Sequence, residues 1–455
     1  MTSGVATGIP QLEDTIVAVA TLIGKGALAV IRLSGPNAFA IARKHVRSWP
    51  SDSRAAHLSA IYDGRESLDQ ALITLFPAPG SFTGEDTVEI STHGGYLVPA
   101  SIVEALVLSG ARQALPGEFT RRAVLNGKLD IIQAEAIGDL IDARSRAMQH
   151  AALSQLNGGL SRRLLDLRDD LIGLEALIAY DIDFPEEDDG PVPREKIERA
   201  TIELCASVES LLATAPAGEI IREGAVVVIA GPPNVGKSSL FNALLGRSRA
   251  IVTEVPGTTR DALEAVIDGG KFPLRLVDTA GLRETVDPVE RMGIEVSERY
   301  LSGAHVVLAC GEDTSGLDQT VEMVASRSNA PIVPVRTKAD LVSLGGHLGS
   351  AICVSAETGT GLQELLDAIN HAIANNYGEI APEFPMLTNA RHRKSVTMAF
   401  NELRQFQRAW QEEKLPAPVA SVHLRTAVYL LEELIGGVDI EDIFDRVFSS
   451  FCVGK

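Results

Sequence analysis

Near the middle of the chain, the apolar run AVVVIA at 225–230 leads into Gly231-Pro232-Pro233-Asn234-Val235-Gly236-Lys237-Ser238, and that loop leads into SLFNALLG. A strand, a glycine-rich loop and a helix in this order make a cradle for a phosphate chain. Backbone N–H groups approach closely where glycine allows it, Lys237 sets a point charge on the β/γ oxygens, and the Ser238 hydroxyl serves Mg²⁺. Such a junction calls for an α/β framework, and the flanking sequence supplies one. LRLVD, AHVVLAC, PIVPVRT and AICVS follow as short apolar runs alternating with helix-length segments, which predicts a parallel sheet with helices on both faces.

Four further segments resemble, in order and spacing, those of the translation-factor-like GTPases: Gly257-Thr258-Thr259-Arg260-Asp261, Asp278-Thr279-Ala280-Gly281, Thr337-Lys338-Ala339-Asp340 and Ser355-Ala356. Thr259 is expected to close over Mg²⁺, Asp278 to hold the ion through water, and Gly281 to give its N–H to the γ-phosphate. Asp340 is expected to accept from the guanine ring N–H groups, a bidentate contact that adenine cannot make. Thr337 stands where this segment usually begins with Asn. It can still hydrogen-bond the loop, but it lacks the two amide donors, so a lowered guanine affinity is expected. Leu282 occupies the position at which Ras-like proteins orient the attacking water with Gln. Glu290 is the candidate to do so instead, and with no Arg poised as a finger, Asn234 is a candidate ligand for a monovalent cation.

Around this unit the texture changes twice. From Thr15 to about residue 120, β-branched runs such as TIVAVAT, ALAVIRL, ALITLF and TVEIST indicate an α+β domain. From Leu125 apolar residues recur at helical spacing, broken by the acidic, proline-bearing DIDFPEEDDGPVP, and helical patterning returns after Tyr377. The expected division is 1–124 for the α+β domain, 125–222 and 379–455 for two parts of one all-helical domain, and 223–378 for an α/β domain inserted between them.

The net charge of −19 argues against a chain held on nucleic acid or an anionic membrane by bulk charge, so any RNA contact must be local. The densest basic cluster in the acidic helical segments is Arg391-His392-Arg393-Lys394, a candidate for that contact; a solvated helix face or a partner for the acidic residues 186–189 is the competing reading. Cys205, Cys310, Cys353 and Cys452 have no metal-type or disulfide-type spacing, which suits a reducing cytoplasm. No uninterrupted apolar stretch of about 20 residues suggests a membrane helix. Glycine at position 454 speaks against reading the last four residues as a prenylation box.

Taken together, DTIVAVAT, AVIRLSG, SFTGEDTVEISTHGG at 81–95, LPGEFTRRAVLNGKLDIIQAEAIGDLIDA at 115–143, DFPEE, GPPNVGKSSLFNALL, GTTRD, DTAGLRE and the ending FCVGK resemble the MnmE (TrmE) family of tRNA-modification GTPases over essentially the full length. The departures are LIGKG at 22–26, where the family usually has a Pro-rich, Arg-containing version, and Thr337. The resemblance implies a multidomain protein: an α+β folate-binding-like N-terminal domain, a discontinuous all-helical domain and an inserted α/β Ras-like P-loop G domain.

It also implies a K⁺-dependent, homodimeric, cytoplasmic GTPase. GTP would be held by Asn234, Val235, Gly236, Lys237, Ser238, Ser239, Thr253, Glu254, Val255, Pro256, Gly257, Thr258, Thr259, Asp278, Thr279, Ala280, Gly281, Lys338, Asp340, Ser355 and Ala356. Mg²⁺ falls to Ser238 and Thr259, K⁺ to Asn234, Thr253, Val255 and Thr258, and the catalytic carboxylate is Glu290. With the flavoprotein MnmG, in a heterotetramer, such proteins add an aminomethyl or carboxymethylaminomethyl group to C5 of the wobble uridine (position 34) of certain tRNAs. The one-carbon unit comes from a folate, 5-formyl-tetrahydrofolate or a relative, for which Arg32, Glu85, Lys128 and Lys455 stand at the matching positions. Cys452 lies beside them and reads either as a nucleophile or as a small packed residue. Two alternatives stay open at this point: a switch GTPase of the RNA-chaperone or ribosome-assembly kind, and a one-carbon transferase carrying a regulatory GTPase.

Overall fold

The computed structural model describes residues 14–183, 192–247, 263–278, 300–341, 351–378, 385–412 and 417–436, together with Phe451 and Gly454. By contacts the chain divides into two units, 1–138 with 435–455, and 139–434. The boundary between the units falls at Gly138, inside a helix.

The first unit runs β1 (Ile16–Val19), β2 (Gly24–Ser34), α1 (Ala38–Arg43), β3 (His57–Asp63), β4 (Glu66–Phe76), β5 (Thr87–Gly95), α2 (Leu97–Leu108), β6 (Arg112–Gln113), α3 (Glu118–Leu125) and α4 (Ile131–Asp142), the last crossing the boundary. Its strands form one sheet in the order β3-β4-β5-β2-β1-β6, antiparallel except for the short β1–β6 pair. Strand period two explains its faces. Ile31, Leu33, Val88 and Ile90 point to one side and pack with Ile102 and Leu106 of α2. Arg32, Ser34, Thr87 and Glu89, the alternate residues of the same strands, face the other way, and Ser34 and Thr87 are nonetheless buried.

The second unit opens with α5 (Arg146–Leu156), α6 (Gly159–Asp183), α7 (Arg194–Leu212) and α8 (Ala215–Glu223). It continues with β7 (Ala225–Ala230), α9 (Lys237–Arg247), β8 (Leu263–Asp268), β9 (Pro273–Asp278), β10 (Val306–Gly311), α10 (Thr314–Ala325), β11 (Ile332–Arg336), β12 (Ile352–Cys353) and α11 (Leu362–Tyr377). Helices α12 (Ala390–Gln411) and α13 (Ala417–Ile435) close it. The sheet order is β12-β11-β10-β7-β9-β8, with every pair parallel except β8–β9. The five expected strands are all present. The antiparallel edge strand β8, LEAVID, is an addition that periodicity did not isolate.

Four of the helices share one pattern of burial. Leu160, Leu164, Leu167, Leu171, Leu174 and Ile178 on α6 alternate steps of four and three, as do Ile197, Thr201, Leu204, Val208 and Leu211 on α7. The same holds for His392, Val396, Ala399, Leu403 and Phe406 on α12, and for Ala420, Leu424, Ala427, Leu431 and Leu434 on α13. A mean step of 3.5 is the seam of a left-handed bundle with knobs-into-holes packing. Helix α7 packs on α6 and α12. Arg425 to Glu175 and His423 to Glu402 tie α13 to α6 and α12. Among the described residues, one helical stretch, 194–223, is long and apolar enough to cross a membrane, and half of its apolar window is buried within the molecule.

Candidate nucleotide and one-carbon sites

Strand β7 ends against β10 and β9, so the loop that follows it emerges at the carboxyl edge of the parallel strands, where ligands of open α/β sheets bind. Gly231 has φ +150°, and a Cβ there would lie 2.6 Å from the Cys310 carbonyl oxygen, so the loop passes β10 at a distance only glycine permits. Gly236 (φ +97°) and Asn234 (φ +63°) take positive φ as well, which turns successive amides inward toward the start of α9.

Lys237 is buried, and its Nζ donates to the carbonyls of Gly231 and Pro232, both at 2.8 Å. Burial pushes its pKa down, and the Asp278 carboxylate works against that shift. Its hydrogen bonds in the loop thus go to carbonyl dipoles, which it can exchange for phosphate oxygens. The Ser238 hydroxyl donates to Asp278 Oδ2 at 2.7 Å, and Asp278 is fully buried at the end of β9. A hydroxyl and a carboxylate meeting before a helix N-terminus are the hard-oxygen donors that suit Mg²⁺. Cys310, beneath the loop, is driven by burial to a pKa of about 12 and stays a thiol.

The base-recognition segments converge on the same edge. Thr337, 4% exposed, donates from Oγ1 to the Val235 carbonyl at 2.5 Å and to that of Gly311 at 3.3 Å, tying the phosphate loop to the end of β10. Asp340 accepts from the Ser355 hydroxyl at 2.6 Å, which orients its carboxylate. Lys338 (φ +54°) pairs with Glu312 at 2.5 Å, and Ala356 and Ser239 lie beside Ser355 and Ser238 in the chain. Thr253, Glu254, Val255, Pro256, Gly257, Thr258, Thr259, Thr279, Ala280, Gly281 and Glu290 lie outside the described residues, and so do Lys455 and Cys452.

In the first unit, the face of β2 and β5 turned away from α2 carries a dense set of ion pairs. Arg32 forks onto Glu89 Oε1 at 3.0 and 2.8 Å and lies over the rings of Phe82 and Phe119, 5.5 and 5.6 Å from their centroids. Glu85 accepts from the Ser34 hydroxyl at 2.8 Å and from Arg122 at 3.1 Å. Arg122, 2% exposed, also meets Asp14 and the buried Glu118, and Arg112 bridges Asp14 and Glu118 from outside. Burial raises the Asp14 pKa, but hydrogen bonds from Arg112 and Arg122 outweigh it and leave the carboxyl below its usual value. Lys128 donates to the Pro79 carbonyl at 3.1 Å and lies against Gly84. Gly454, with φ +98°, sits so close to β1 that a Cβ would be 2.5 Å from the Val19 carbonyl oxygen.

Arg32 and Glu85 therefore lie on neighbouring parts of one face, each already partnered. Sequence reading missed Asp14, Glu89, Glu118 and Arg122: the pairs Arg32–Glu89, Arg122–Asp14 and Arg122–Glu85 join residues far apart along the chain, and the local Arg122–Glu118 pair is an ordinary i,i+4 spacing that signals no site by itself. The basic cluster on α12 is also more committed than its sequence suggests. His392 is buried in the bundle seam, and Arg393 pairs with Glu219 at 3.0 Å.

A phosphate loop that sets an exposed serine hydroxyl, Ser238, against the buried Asp278 and beside the buried Lys237, at the carboxyl edge of a parallel sheet, defines a P-loop nucleotide-binding protein. Comparison with known proteins narrows the class. The family model "MnmE helical domain" matches residues 131–452, and "GTP-binding protein TrmE N-terminus" matches 15–128. The tRNA modification GTPases MnmE of Moorella thermoacetica and Heliobacterium modesticaldum are 40% and 41% identical to the chain, each over 98% of it and 100% of the relative. That of Aquifex aeolicus is 38% identical over the same shares. The G domain of the T. maritima FeoB iron transporter is 27% identical over 32% of this chain and 98% of its own, with a TM-score of 0.26, a spatial likeness too weak to bear on the fold. The chain belongs to the MnmE family of tRNA modification GTPases.

Proposed function

We propose that this protein hydrolyses GTP to drive modification at C5 of the wobble uridine, position 34, of certain tRNAs, acting with the flavoprotein MnmG. The observation that carries the GTPase half is the Ser238–Asp278 contact of 2.7 Å in front of the buried Lys237. Lys237 neutralises the phosphate chain, the loop amides of 234–238 hold its oxygens, and Asp340, oriented by Ser355, accepts from the guanine. Mg²⁺ on Ser238 and Thr259, held through water by Asp278, would offset the negative charge of the β/γ oxygens. Glu290 orients the attacking water. Asn234, with Thr253, Val255 and Thr258, holds K⁺ in place of an arginine finger. The protein works as a homodimer, joins MnmG in a heterotetramer, and resides in the cytoplasm.

The N-terminal sheet holds the one-carbon folate. Arg32, Lys128 and Lys455 meet its anionic tail and Glu85 the pterin N–H groups. The seat of Gly454 on β1 supports a role for Lys455 there. Residues 1–124, 125–222 with 379–455, and 223–378 serve as the folate, helical and GTPase domains. The testing experiment compares turnover in K⁺ and Na⁺ at matched ionic strength. Much faster hydrolysis in K⁺ is expected, and Glu290→Ala lowers kcat with little change in GTP affinity. Equal rates in the two salts overturn the cation assignment.

A further inference from the structure

Within the second unit, an open cleft of about 800 Å³ lies between the start of α5, the end of α9, the β8–β9 turn and the start of α11. Arg144, Arg146 and Arg247 line it with Gln149 and Gln363, and among the described residues Asp268 is its one lining carboxylate. Asp268 is already engaged, accepting from the backbone N–H of Gly270 at 3.1 Å and of Arg146 at 3.5 Å. Among the described residues, the guanidinium groups of Arg144 and Arg146 have no carboxylate partner, while Arg247 reaches Gln363 Oε1 at 3.1 Å. Lys271 and His150 continue the basic surface into an adjoining hollow.

The placement of two of these cations works against the fold. Ser145 caps α5 by accepting from the Met148 N–H at 3.1 Å, so Arg144 and Arg146 flank the positive end of the helix dipole, where anions are favoured. Arg247 ends α9, where a cation is favoured, and needs no such explanation. Uncompensated guanidinium groups at a helix N-terminus, inside a cleft, in a chain of net charge −19, are a feature that stability does not select. What they suit is a row of phosphodiesters, which guanidinium forks and amides recognise together. Meanwhile, in the basic cluster on α12, Arg393 is paired with Glu219 and His392 is buried in the bundle.

We infer that this cleft seats a stretch of RNA sugar-phosphate backbone, with Arg144 and Arg146 as its main contacts. The inference rests on the reading of the protein as acting on tRNA. It is tested on the full-length chain by fluorescence anisotropy with an end-labelled tRNA transcript, between about 50 and about 200 mM salt. Arg144→Glu with Arg146→Glu should weaken binding at least about tenfold and reduce the salt slope by about two. Because acidic groups favour a helix N-terminus, the same variant should melt at an equal or higher temperature and keep its GTP affinity. Arg144→Gln with Arg146→Gln should show the binding loss in milder form. Wild-type tRNA binding that both variants retain with an unchanged slope overturns the cleft alone. A wild-type chain that binds no tRNA overturns the proposed function with it.

Discussion

The two sites handle charge in opposite ways. Around the phosphate loop, one buried ammonium is satisfied by two backbone carbonyls, and the groups that would hold a nucleotide are mostly backbone amides of one contiguous segment. On the N-terminal face, Arg122 alone meets Asp14, Glu85 and Glu118, so side chains from three separate segments cancel one another before any ligand arrives. A backbone cradle can exchange weak internal dipoles for a strong anion at small cost. An interlocked set of ion pairs resists rearrangement, and its first task is to fix the positions of Glu85 and its neighbours.

The largest effect that should expose this contrast is Arg122→Ala. It takes from Glu85 its guanidinium partner and leaves the buried Glu118, like Asp14, with Arg112 alone; breaking a buried pair from one side costs about 3–5 kcal/mol, and the contacts that Arg112 keeps set the loss at or below that range. Thermal unfolding should show the N-terminal unit destabilised while GTP affinity stays at the wild-type level; an intact melting temperature would mean that the network carries little.

Lys237→Ala makes the reciprocal cut. GTP turnover (kcat/KM) should fall by about 10²–10³, as for loss of a key electrostatic group, while formyl-tetrahydrofolate binding is unaffected. Loss of both activities would show that the sites are not independent.

Thr337→Val sharpens the comparison inside the nucleotide unit. The change keeps the shape but strands the Val235 carbonyl, at about 1–3 kcal/mol. GTP binding by calorimetry should weaken about tenfold, with the sheet still folded.

The smallest effect is acid sensitivity. The Asp14 and Asp69 carboxyls both lie below their usual values, the second because hydrogen bonds from His93 outweigh its burial. A depressed folded pKa adds stability above the unfolded value, near 3.8, and that stability is lost as the pH falls through the folded one. Acid titration followed by circular dichroism should therefore show the N-terminal unit weakening below about pH 4.

What could be read beforehand follows from how each part is built. The phosphate loop is local: Gly231, Lys237 and Ser238 act within one turn of chain, so spacing alone disclosed them. Thr337 was recognised as a departure, yet its bonds to Val235 and Gly311 cross strands and needed coordinates. The partnership of Arg122 with Asp14 and Glu85, and that of Arg393 with Glu219, depend on tertiary contacts that no periodicity encodes. Helical segments were legible from their apolar spacing, but the common four-three seam of α6, α7, α12 and α13 emerged only from burial. The short edge strand β8 escaped because LEAVID is too brief to be told from a helix fragment.

The central claim is that two separately built sites serve one reaction on tRNA. Mass spectrometry of wobble uridines tests it in cells whose only copy carries either Lys237→Ala or Arg32→Ala with Lys128→Ala, with GTP turnover measured on the same proteins. The expected result is loss of C5-modified uridine in both strains, with turnover lost only in the first. Normal levels of modified uridine in either strain would contradict it.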